Sequence, residues 1–229
     1  KLKPELITPY LTRVGDEHHN QPKVISITQV TELGTVYTLQ EIKTLADFAH
    51  NNNMYLHVDG ARIANAAAAL GVSFKEMLSD TGVDVVSFGG TKNGIMFGEA
   101  VVFLKPELAE QALFFRKQTM QQASKMRFIS AQFIAYLQNK LYLSNAEHAN
   151  NMAKLLYQEV KDIPALQFTQ DVQANALFLI LPREKALKLQ EQFAFYFWDE
   201  NTNEVRWMCS YDTSKEEVLA FAKAVHALF

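Results

Sequence analysis

Two side chains in this chain stand where an α/β sheet would gather its chemistry. Asp59 follows the short apolar run Met54–Val58, and Lys92 lies four positions beyond Phe88, which ends the run Val83–Phe88. In open α/β sheets ligands collect at the carboxyl ends of the strands. An acid and an amine at neighbouring strand ends can address opposite sides of one flat cofactor. Pyridoxal phosphate requires such a pair, a lysine for the Schiff base and a carboxylate that keeps the pyridine nitrogen protonated. Each residue also has a plainer reading. Asp59 before Gly60 and Ala61 suits a turn or helix N-cap, and Lys92 suits a solvated loop. The run Gly89-Gly90-Thr91-Lys92-Asn93-Gly94 favours chemistry, because glycine lets backbone approach a ligand closely.

The elements that must carry these residues follow from the apolar pattern. Val24–Thr28 reads as a buried strand, and Thr38 with Glu41 reads as a capping box. The helix it opens has Ile42, Leu45, Phe48 and Ala49 on its apolar face and stops at Asn51–Asn53. Ala61–Leu70 predicts an alanine-rich helix closed by Gly71, and Ala100–Leu104 a further strand. Short strands alternating with helical periods imply a sheet fed by crossover helices. Pro106–Lys161 reads as almost continuous helix with turns near Ser124 and Ser144-Asn145. Beyond Pro164, strands at Ala176–Leu181, Phe193–Trp198 and Val205–Cys209, with helices at Arg183–Gln192 and Ser214–Leu228, form a small α+β unit. We place a large domain at 1–150 and a small one at 151–229.

Composition closes other routes. The 229 residues are 48% hydrophobic and 21% charged, ordinary globular values, so a packed core is expected. A formal charge of −3 offers no basic domain for a phosphate backbone, and nucleic acid is not an expected partner. Cys209 is the sole cysteine, which rules out an internal disulfide and a cysteine-built zinc site and points to a reducing cytoplasm. No stretch has the length of apolar residues that a membrane helix needs. His18 and His19 beside Asp16 and Glu17 read as a solvated turn rather than a metal site. Phe193, Phe195 and Phe197, alternating with Ala194, Tyr196 and Trp198, read as a sheet core packed on both faces. His57, two residues before Asp59 on the same strand face, reads as a satisfied core histidine able to support that carboxylate.

Taken together, His57-Val58-Asp59-Gly60-Ala61-Arg62-Ile63-Ala64-Asn65-Ala66 and Ser87-Phe88-Gly89-Gly90-Thr91-Lys92-Asn93-Gly94 resemble the core of the low-specificity L-threonine aldolases. Gln29–Tyr37 and Lys125-Met126-Arg127 extend the likeness. The resemblance implies a pyridoxal-phosphate enzyme of the aspartate-aminotransferase-like fold type I, within the aromatic amino acid β-eliminating lyase superfamily: an α/β large domain, here partial, and a small C-terminal α+β domain. It implies retro-aldol cleavage of L-threonine or L-allo-threonine to glycine and acetaldehyde. By the same resemblance Lys92 carries the Schiff base and Asp59 pairs with the pyridine nitrogen. Arg62 and Arg206 hold the substrate carboxylate, and Arg127 reaches the cofactor phosphate across a subunit boundary in a homodimer or homotetramer. The family usually has more glycine before its Met-Arg pair than Gln121-Gln122-Ala123-Ser124 provides. It also has a Gly-Thr phosphate cradle and a ring-stacking histidine in its N-terminal third, and neither precedes Lys1, so a chain lacking that third is expected. A related lyase on the same scaffold, or a catalytically incomplete subunit, are the other readings.

Overall fold

The computed structural model describes residues 1–229. A short helix α1 (Pro4–Ile7) precedes a four-stranded sheet. Strands β1 (Val24–Thr28), β2 (Tyr55–Gly60) and β3 (Val85–Gly89) run parallel, and β4 (Glu99–Phe103) closes the edge antiparallel to β3. Helices α2 (Leu39–Asn51) and α3 (Ile63–Leu70) are the crossovers that parallel pairing demands.

Each element follows from its residues. The Thr38 hydroxyl accepts the Glu41 N–H at 3.2 Å while the Glu41 carboxylate accepts the Thr38 N–H at 2.7 Å, so α2 begins on the expected capping box. Losing such a cap costs about 1 kcal/mol. Ile42, Leu45, Ala46 and Ala49 then form one fully buried stripe against Ile25, Ile27, Leu56 and Val58 of the sheet. Gly71 ends α3 in the left-handed conformation, φ 67°, where a side chain would be strained. Strand alternation sends Ile25, Ile27, Leu56, Val58, Val86 and Phe88 into the core under these helices. It turns Ser26, Thr28, His57, Asp59 and Ser87 to the opposite face.

The middle of the chain departs from the continuous helix expected of it. Helix α4 (Ala112–Gln118) is separated from α5 (Arg127–Leu137) by irregular backbone, with the predicted break around Ser124 present, and a 3₁₀ turn, Gln138–Lys140, joins α5 to α6 (Leu141–Val160). Ser144 and Asn145, however, lie inside α6. The turn sits instead at Asn139 and Lys140, with φ of 51° and 58°. Asn145 does not break the helix because its side-chain amide donates to the Asn93 carbonyl at 2.9 Å and leaves the local backbone alone.

The C-terminal residues build a second, antiparallel sheet in the order β5 (Gln167–Phe168), β6 (Ala176–Ile180), β8 (Glu204–Met208), β7 (Tyr196–Asp199). Helices α7 (Arg183–Gln190) and α8 (Lys215–His226) cover it. Here β7 is shorter than expected. Phe193 and Phe195 leave the ladder to pack edge-on against Phe221, with ring centroids 5.0 and 6.3 Å away. The other face is not packed throughout, since Tyr196 is 74% exposed. Apolar burial forms two clusters, one around the first sheet and one around the second; the C-terminal half of α6 contributes Ala153, Leu156 and Val160 to the latter.

Candidate active site

The polar face of the first sheet is the site's floor. Ser26 is in register with His57, and Thr28 and Ser87 flank Asp59 on its two sides. The His57 ring lies between two hydroxyls, its Nδ1 2.8 Å from Ser26 Oγ and its Nε2 2.9 Å from Ser87 Oγ. Burial pushes the imidazole below its ordinary range and the Asp59 charge only partly opposes this. The neutral ring therefore donates from one nitrogen and accepts at the other.

Asp59 is half-buried near the end of β2. Its Oδ1 accepts the Ala61 N–H at 3.0 Å, which is the turn-forming role the sequence allows. It does not cap α3, because the N-cap is Arg62. The second carboxylate oxygen takes no hydrogen bond from the chain. A Cβ on Gly89 would stand 2.7 Å from Ala61 Cα, so only glycine lets the end of β3 lie against the turn after Asp59.

Lys92 sits in the 3₁₀ turn Thr91–Asn93 that continues from β3. It is exposed and its ammonium has no hydrogen bond or ion pair within the chain. Its neighbour fixes the turn. Asn93 is buried and donates to Tyr136 Oη at 2.7 Å and to the Tyr142 carbonyl at 2.8 Å. Burial drives the Tyr136 hydroxyl up to about 12, keeping it a neutral partner.

Arg62 precedes α3 as its N-cap and Arg206 lies on β8, in the other sheet, yet the Arg206 charge acts on Arg62. Burial is the main cause that lowers the Arg62 pKa, Arg206 lowers it further, and Glu32 and Asp59 work against both. The Arg62 Nη2 rests 2.9 Å from Met208 Sδ, and the Arg206 guanidinium stacks over Trp198 at 4.9 Å. Guanidiniums suit an anion, and a carboxylate matches their fork geometry. Arg127 opens α5, is exposed, and no hydrogen bond, ion pair or stacking contact joins it to the other four.

Several participants were not singled out from sequence. Ser26 and Ser87 are visible only once the register of three strands is known, although the polar alternation of Val-Ile-Ser-Ile-Thr already marks one face of β1. Glu32 follows β1 and lines, with Ser26, Thr28, Thr31 and Tyr37, a cleft of about 520 Å³. Met208 had no signal beyond its place in a strand.

Comparison with known proteins accords with this geometry. Residues 1–182 match the family model described as beta-eliminating lyase. The chain is 40% identical over 227 residues to a low specificity L-threonine aldolase of Pseudomonas aeruginosa, covering 98% of this chain and 65% of the relative. It is 38% identical over 228 residues to a protein of the same description from a Pseudomonas species, covering 66% of it. The chain thus spans about two thirds of the length of these curated relatives. Among solved structures, a threonine aldolase of Leishmania major superposes with a TM-score of 0.91 at 28% identity, over 100% of this chain and 67% of that one. A serine palmitoyltransferase of Sphingomonas wittichii, at 14% identity and a TM-score of 0.72 over 99% of this chain and 58% of that one, shares the fold.

Proposed function

Because the chain belongs to the beta-eliminating lyase family, we propose that the protein is a pyridoxal-phosphate-dependent carbon–carbon lyase, cleaving L-threonine or L-allo-threonine to glycine and acetaldehyde. Its architecture is that of the fold type I enzymes. The observation that carries the reading is the pairing of an Asp59 oxygen without a partner and a Lys92 amine without a counter-ion at the ends of neighbouring parallel strands. The residues fit the cofactor: a flat ring can lie over the polar floor of Ser26, His57 and Ser87, and the Gly89–Ala61 approach sets the end of β3, from which the lysine turn continues, against the turn after Asp59.

Bound there, pyridoxal phosphate supplies an aldehyde that condenses with amines and a protonated ring that accepts the electrons of a broken Cα–Cβ bond. Lys92 provides the amine that anchors the cofactor. Asp59 holds the proton on the ring nitrogen, for which an ionised carboxylate in hydrogen-bond reach is needed. Arg62 and Arg206 bind the substrate carboxylate and orient the bond to be broken. Arg127 binds the cofactor phosphate of a neighbouring subunit in a homodimer or homotetramer. This assignment is supported by its free guanidinium and by exposed apolar residues nearby in the chain, Met120 and Phe128 among them. The buried sole cysteine suits a cytoplasmic address, and no helix is long and apolar enough to cross a membrane.

The test is direct. Adding pyridoxal phosphate to the protein produces a visible absorption band, and threonine then yields glycine and acetaldehyde in equal amounts. Lys92→Ala abolishes both. A band and an activity that survive this substitution would sink the assignment, and release of a different product would move the protein to another lyase reaction on the same scaffold.

A further inference from the structure

Asp59 is held from one side only by its own turn, through the Ala61 N–H. A strand lies on either side of it. Thr28 and Ser87 are its register partners on β1 and β3, and cross-strand neighbours on one face lie within side-chain reach. Ser87 is also tied diagonally to His57, through Nε2 at 2.9 Å, while the opposite ring nitrogen is tied to Ser26 at 2.8 Å. A single imidazole therefore spans β1, β2 and β3 one pleat below the carboxylate. A histidine that served only the apolar core would not sit on the polar face with both nitrogens engaged by hydroxyls that it alone contacts.

Resting on the functional reading above, we infer that His57 is a positioning residue for Asp59: wedged between Ser26 and Ser87, it fixes Ser87 beside the carboxylate and keeps that carboxylate turned toward the cofactor ring. The two ring nitrogens have different work. The bond to Ser26 is a brace, whereas the bond to Ser87 reaches the register partner of Asp59. The amides of asparagine and glutamine separate them, since asparagine places its nitrogen near the position of Nδ1 and glutamine near that of Nε2.

The experiment measures cofactor affinity and the circular dichroism that the bound cofactor acquires, together with the melting temperature of cofactor-free protein. His57→Gln, which preserves the Ser87 bond, retains the affinity and the dichroism. His57→Asn and His57→Phe weaken cofactor binding about three- to tenfold, the worth of one neutral hydrogen bond, and change the dichroic band with little change in melting temperature. Ser87→Ala behaves like His57→Asn, and Ser26→Ala has the smaller effect, which keeps the inference testable if a histidine variant does not fold. Equal affinity and dichroism across all five variants, or losses that follow melting temperature alone, would overturn it. If the unsubstituted protein showed no Lys92-dependent band, the functional reading itself would fall and this inference with it. A wild-type band combined with silent His57 variants refutes the positioning role alone.

Discussion

Arg62, at the start of a helix on the first sheet, places its Nη2 against Met208 Sδ, at the end of a strand in the second sheet, 2.9 Å away. The contact sets Arg62 against the strand that carries Arg206 two residues before Met208, on the same strand face. The substrate-carboxylate site proposed for these two arginines therefore depends on the two sheets keeping their relative placement.

Arg62→Lys should therefore act on binding more than on the chemical step. A lysine cannot offer two parallel donors, nor rest a planar group on a thioether. The expected change is a rise in KM for threonine of about tenfold or more, the worth of one charged hydrogen bond, with a smaller fall in kcat. Steady-state kinetics on the cofactor-loaded protein decides it; an unchanged KM would remove Arg62 from the substrate site.

Asp84 predicts a stability effect separate from chemistry. Its buried carboxylate accepts from Lys105 Nζ at 2.7 Å, His50 Nε2 at 2.9 Å and the Leu56 N–H at 2.6 Å. Burial is the largest influence and raises its pKa, but these hydrogen bonds together outweigh it and hold the group below the ordinary aspartate range. A depressed carboxyl contributes stability above its unfolded pKa, and that contribution is lost as pH falls through the folded value. Asp84→Ala should cost about 3 kcal/mol at neutral pH in urea unfolding, the lower end for breaking a buried ion pair because Lys105 still reaches solvent. The variant should also lose less stability than the parent on acidification.

Asn93→Ala should loosen the turn that carries Lys92. It leaves the buried Tyr136 hydroxyl without its donor and the turn without its tie to Tyr142, at a cost of about 1–3 kcal/mol. Calorimetry would record the lower melting temperature, and a weaker cofactor band at fixed concentration would record the displaced amine.

Cys209 should be inert while the protein is folded. It is 3% exposed, and burial pushes its thiol up to about 12. The thiolate is the reactive form, so iodoacetamide at about pH 8 should leave the native protein unlabelled and modify it only after denaturation. Rapid labelling of native protein would show that the second core opens readily.

The strand ends that carry the proposed site were legible in the sequence. Val58 and Phe88 close apolar runs, and the residues that follow each run are the ones in question. The helices flanking them were equally readable from Thr38, Glu41 and Gly71, whose roles are local. Contacts between distant segments were not. Nothing in the spacing of Arg62 and Met208 says that their side chains meet, and the His57 bridge depends on a register between strands about thirty residues apart. The turn expected at Ser144-Asn145 failed for the same reason, because Asn145 spends its amide on the Asn93 carbonyl, a partner far away in sequence.

Helix α6 is tied at Asn150 to Asn65 of α3, the Asn65 amide donating to Asn150 Oδ1 at 3.1 Å and the Asn150 amide donating to the Asn65 main-chain carbonyl at 3.0 Å, while its later turns bury Ala153, Leu156 and Val160 against the second sheet. One rod is therefore mortared into both halves of the molecule. Neither half can melt without dragging on the other, and heating should record a single cooperative loss of structure in place of two successive ones.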